Sequence, residues 1–84
     1  MELQLIEKKD GSKQTRIKVS HKELRTDRVL WLMIEEFKKR GELKLEKESS
    51  RYKYFLADGD LLNERGAEWE KYYLKQKEEI MGNG

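Results

Sequence analysis

The chain has 84 residues, of which 36% are apolar and 43% charged, with no cysteine and no proline. Such a length fits one small domain with a thin core, and the missing cysteines exclude disulfides and thiolate metal sites. A net charge of +2 hides an asymmetry. Residues 1–57 carry 15 Lys and Arg against 10 Asp and Glu, whereas residues 58–84 carry 4 against 7.

Leu3 and Leu5, then Ile17 and Val19, alternate with polar neighbours, the two-residue period of half-buried strands. Asp10-Gly11 between them predicts a hairpin turn in which both central residues take positive φ. Two alternative helix starts follow. Ser20 and Glu23 have the spacing of a capping box, and Thr26-Asp27 offers a second cap. Val29, Leu30, Met33, Ile34 and Phe37 make a helical stripe, which Lys38-Lys39-Arg40 and then Gly41 bring to an end. Trp31 and Leu32 widen the apolar surface beyond that stripe.

Leu43 and Leu45 open a second alternating stretch, Glu48-Ser49-Ser50-Arg51 reads as a turn, and Tyr52 to Leu56 is an aromatic-rich strand. Asp58-Gly59-Asp60 ends it. A last helix is expected from about Asn63 to Met81, with Trp69, Tyr73 and Ile80 on one face and residues 82–84 as a loose tail. The expected fold is α+β: one domain over residues 1–81, two β-hairpins and two helices in the order ββαββα, with the helices on one face of an antiparallel sheet. A faint repeat at an offset of 38 supports two ββα halves, aligning Trp31 with Trp69, Leu24 with Leu62, Ile17 with Phe55 and Val19 with Ala57.

The longest apolar run, Val29 to Ile34, is far too short to span a bilayer, and residues 1–4 lack the plan of a signal peptide. The expectation is a soluble cytoplasmic protein, monomeric or homodimeric. Catalysis has few of its usual members. His21 is the one histidine and directly follows the expected cap Ser20, and no phosphate loop, dinucleotide motif or nucleophile elbow occurs. The carboxylates around Asp58-Gly59-Asp60 do not match a calcium-loop frame and read as a turn with a helix cap. Glu42-Leu43-Lys44 has the E-x-K form of some nucleases, a triplet that arises by chance in a chain rich in Glu and Lys. No enzyme activity, metal or cofactor is expected.

Binding carries the stronger signal. Basic residues gather on both hairpins, and Lys8, Lys9, Lys13, Arg16, Lys47, Arg51 and Lys53 are the candidate contacts to a DNA or RNA phosphate backbone. Tyr52 and Tyr54 share one sheet face. Packed under the helices they are core; exposed, they form a stacking surface for single-stranded bases. The core placement is expected, since something must cover Trp31 and Trp69. Phe37-Lys38-Lys39-Arg40-Gly41-Glu42-Leu43, then Arg51 to Leu56 and a closing helix, resembles the helix–wing–helix end of winged-helix transcription regulators. That resemblance implies wing contacts to DNA from Lys47, Arg51 and Lys53, although here a hairpin precedes a single helix. The alternative to nucleic-acid binding is a small protein-binding adaptor or inhibitor, such as a phage or other mobile element encodes. It would use Trp31, Tyr52, Tyr54 and Trp69 or the charged faces.

Overall fold

In the computed structural model, which describes residues 1–82, the chain runs β1 (Glu2–Glu7), β2 (Lys13–Ser20), α1 (His21–Thr26), α2 (Arg28–Lys39), β3 (Lys44–Glu48), β4 (Tyr52–Asp58) and α3 (Leu61–Gly82). The strands form one antiparallel sheet in the order β1-β2-β4-β3, so each hairpin is intact and the hairpins meet along β2 and β4. The α+β order ββαββα is as expected, with one refinement. The first helical stretch is two helices, because both cap signals are used. Glu23 N–H donates to Ser20 Oγ (3.0 Å) and Ser20 N–H to Glu23 Oε1 (3.2 Å), closing the capping box of α1. Asp27 is extended and accepts Leu30 N–H at 3.0 Å, which starts α2 afresh.

Three turns show why the elements end where they do. In the first hairpin only Gly11 takes positive φ (+87°), and Gly11 N–H closes on Lys8 O at 3.0 Å. The turn therefore has Lys9 and Asp10 in ordinary backbone and glycine after them, rather than two positive-φ residues; Asp10 instead binds Ser12 N–H and its hydroxyl. At the end of α2, Gly41 (φ +82°) bonds Lys38 O, and Glu42 N–H bonds Phe37 O, the expected glycine stop. Asp60 accepts Asn63 N–H and Glu64 N–H, and α3 accordingly begins at Leu61, two residues before the expected start. Gly82 closes α3 instead of opening a tail, and residues 83–84 of the expected tail lie outside the described residues.

All helices lie on one side of the sheet. Ile17 and Val19 of β2 and Phe55 and Ala57 of β4 meet Leu30, Met33, Ile34 and Phe37 of α2, Leu43, and Leu61 and Trp69 of α3. The Phe37 and Trp69 rings stack at 4.4 Å, 12° from parallel, with Tyr72 edge-on to Phe37 at 5.5 Å. Tyr73 adds a hydroxyl bond to Asp27 (3.0 Å), tying α3 to the α1–α2 junction. The α2 stripe is buried as its spacing requires, while Trp31, off the stripe, remains 45% exposed. The two tryptophans of the repeat are thus not equivalent: Trp69 is 6% exposed.

The core parity corrects the placement of the tyrosines. Side chains alternate across a strand, so Phe55 under the Phe37–Trp69 stack sends Tyr52, Tyr54 and Leu56 to the opposite face. Phe37, not a tyrosine, covers Trp69. The second hairpin is also no wing beside a helical bundle, because β4 is a central strand paired with β2 over seven residues. β3 is exposed along its length and carries a bulge between Leu45 and Lys47. Past Tyr73, α3 outruns the body, leaving Ile80 42% exposed although it continues the core-facing stripe. The radius of gyration is 13.5 Å, against about 12 Å for a compact chain of this length.

Thr15 is the one buried polar residue among those described, 2% exposed. Its hydroxyl donates to Gly59 O and accepts Leu61 N–H, both at 2.9 Å, joining β2 to the β4–α3 turn. Thr15→Val keeps the shape and removes the hydroxyl, stranding both partners. The expected loss is about 1–3 kcal/mol in urea unfolding with an unchanged m-value.

Candidate nucleic-acid interface

Among the described residues, no element covers the face opposite the helices. Across it, Ser20 pairs with Tyr52, Lys18 with Tyr54 and Arg16 with Leu56. On the other flank of β4, Lys47 pairs with Tyr54 and Lys44 with Leu56. The bulge makes this possible: simple alternation would put Lys44 and Lys47 on opposite faces, and the extra residue returns Lys47 to the side of Lys44. Two half-buried tyrosines therefore lie in a lane with lysines on both banks.

The contacts are specific. Lys18 Nζ stands 4.3 Å from the Tyr52 ring centroid and Lys47 Nζ 4.7 Å from that of Tyr54. The tyrosine centroids are 6.4 Å apart, tilted by 55°. Beside them, Arg16 grips Glu46 in a two-point pair, Nε to Oε1 and Nη2 to Oε2, each 2.9 Å. That guanidinium holds the Glu46 carboxyl below the usual carboxylate range, chiefly through the hydrogen bond. Lys18 also reaches Glu2, at the limit of ion-pair distance (4.0 Å).

The candidate residues do not form a single surface. Lys8 and Lys9 in the first turn and Lys13 at the start of β2 lie at one end of the sheet. Arg51, in the second turn, lies at the other, since Gln14 pairs with Asp58 and Ser20 with Tyr52. Six residue steps of about 3.4 Å separate those ends by roughly 20 Å. Arg16 and Lys47 come together on the open face with Tyr52 and Tyr54. Lys53 points to the helix side, 3.7 Å from Glu48, near Trp31. Trp69 is in the core, only its edge bordering the apolar groove on the helix side. Lys18 and Lys44 join the face although neither stands among the expected contacts. The two-residue step from Arg16 to Lys18 was the available signal, but the pairing of β2 with β4 that brings Lys18 beside the tyrosines was not.

The arrangement offers contacts to an anion and to flat rings. His21, at the start of α1, is half-buried and donates its Nε2 proton to Ser49 O (2.9 Å). Among the described residues no group of three or more His, Asp and Glu side chains is placed to hold a metal ion, and no helix is long and apolar enough to cross a membrane. In carbon-detected NMR the Glu46 carboxyl is expected to titrate below the ordinary carboxylate range. Arg16→Gln returns it upward toward that range. Comparison with protein-family models, with curated proteins and with solved structures yields no match.

Proposed function

We propose that the protein is a non-enzymatic, cytoplasmic nucleic-acid-binding module that docks single strands on the open face of its sheet. The observation that carries this reading is the Tyr52–Tyr54 pair, uncovered and flanked by Lys18 and Lys47. Each ring already attracts a cation to its face, so a base stacking there meets a lysine that has only to swing aside to reach a phosphate. The centroid spacing of 6.4 Å is about twice the ~3.4 Å rise per base of a duplex strand. Neighbouring bases resting on the two rings must be unstacked, as in an extended single strand. A four-stranded face is also too broad, at roughly 14 Å, for a major groove about 12 Å wide. Phosphate docking through the two hairpin tips at once is the weaker form of this reading, because the tips are at opposite ends.

A second reading has its own observation. On the helix side, Leu3, Leu30, Leu61, Leu62 and Tyr73 line an apolar groove of about 490 Å³ with Glu23, Asp27 and Glu70 on its walls. This supports a basic, apolar protein segment as the partner of an adaptor or inhibitor.

Fluorescence anisotropy with labelled twelve-nucleotide dT and U strands and a matched duplex tests the first reading. Single strands are expected to bind more tightly than duplex, with an affinity that falls as salt rises. Replacing Lys18 and Lys47 together by Ala flattens the log–log salt slope by about 1.4, the value for two phosphate contacts on a single strand. Glu46→Gln strengthens binding by freeing Arg16. Absence of salt-dependent binding to any strand, or an unchanged slope in the double variant, overturns the reading.

A further inference from the structure

The open face ends where β2 closes and β4 begins, and a cleft lies just around that end on the helix side. We infer that this cleft, beneath Trp31, is a nucleotide site that takes one base together with its phosphate. Its volume is about 510 Å³, and its lining is His21, Leu24, Arg25, Trp31, Ser50 and Lys53. That size lies within the range of small-ligand clefts.

The break between α1 and α2 builds it. Extended backbone at Asp27 turns the chain, so Arg25 from the last turn of α1 and Trp31 from the first turns of α2 look into the same space. Leu24, half-buried against the core, makes an apolar floor. The opposite wall is the second hairpin, fixed in place by His21. Its backbone N–H donates to Arg51 O and its ring to Ser49 O, both at 2.9 Å.

The chemistry selects the ligand. An exposed indole, an apolar floor and two cations suit a flat aromatic group that carries negative charge. Among the described residues no carboxylate lines this cleft, and Lys53 pairs with Glu48 at 3.7 Å. The apolar groove on the far side of α2 has three carboxylates on its walls and would repel the same ligand. The position fits as well. Tyr52, the first residue of β4, pairs with Ser20, the last of β2. A strand leaving the Tyr52 ring passes Ser50 and Arg51 and rounds the sheet end into the cleft. This placement rests on the single-strand reading above, while the cleft's affinity for a free nucleotide does not.

Tryptophan fluorescence of the full chain separates the two. Trp69 is buried against Phe37, so quenching by added ligand reports Trp31. Adenosine 5′-monophosphate and an eight-nucleotide single strand are both expected to quench, and Trp31→Phe removes the response. Trp31→Ala is expected to weaken the eight-nucleotide strand about fivefold or more, the effect of losing one stacked base. Strand binding by anisotropy without quenching overturns the cleft and spares the sheet. Quenching by the monophosphate without strand binding supports the cleft and sinks the sheet. Silence toward both ligands overturns the proposal.

Discussion

One layer of helices has to serve a four-stranded sheet, and the rest of the structure follows from that limit. Eighty-four residues supply a buried set of about a dozen apolar side chains. These suffice to seal one face of the sheet and no more. The parity of β4 then decides which face is left to water. Phe55 and Ala57 go inward with Ile17, and the two tyrosines go out in company with lysines from both neighbouring strands. An aromatic lane on the surface is thus the other side of the same choice that built the core.

Charge on this protein matters by position and hardly by total. A net +2 describes an almost balanced surface, and Glu46 and Glu2 do offset Arg16 and Lys18 on the open face. Yet the cations nearest the tyrosines sit over the rings themselves, where a stacked base would put its sugar and phosphate within their reach. The bulge in β3 has the same effect at the level of backbone. One unpaired residue moves a lysine from the wrong face to the right one.

Most of the fold was legible in the sequence because its signals are local. Strand alternation, the stripe from Val29 to Phe37, the Ser20–Glu23 box, the Asp27 cap and the Gly41 stop each involve residues within a few positions of one another. The two caps were legible as alternatives, and only the structure uses both. What stayed hidden depends on long-range pairing. The side on which Tyr52 and Tyr54 fall is fixed by the Ile17–Phe55 register, hinted at only by the faint 38-residue repeat, and by the Phe37–Trp69 stack. Thr15 carries no local signal, because its bonds reach residues 44 and 46 positions away. The spread of Lys8, Lys9 and Lys13 from Arg51 likewise follows from the antiparallel meeting of two hairpins, which composition cannot show.

The sheet has two free edges of unlike character, and this bears on how concentrated the protein can become before it self-associates. β3 is short, bulged and written Lys-Leu-Glu-Lys-Glu, a poor template for another strand. β1 keeps an unbroken six-residue register and presents Leu5 half-exposed beside unpaired backbone donors and acceptors. Intermolecular strand addition has its easiest start there. Glu2 and Glu7, the charges that close the two ends of β1, are then the gatekeepers of colloidal stability, a task separate from anything the opposite edge or the helices perform.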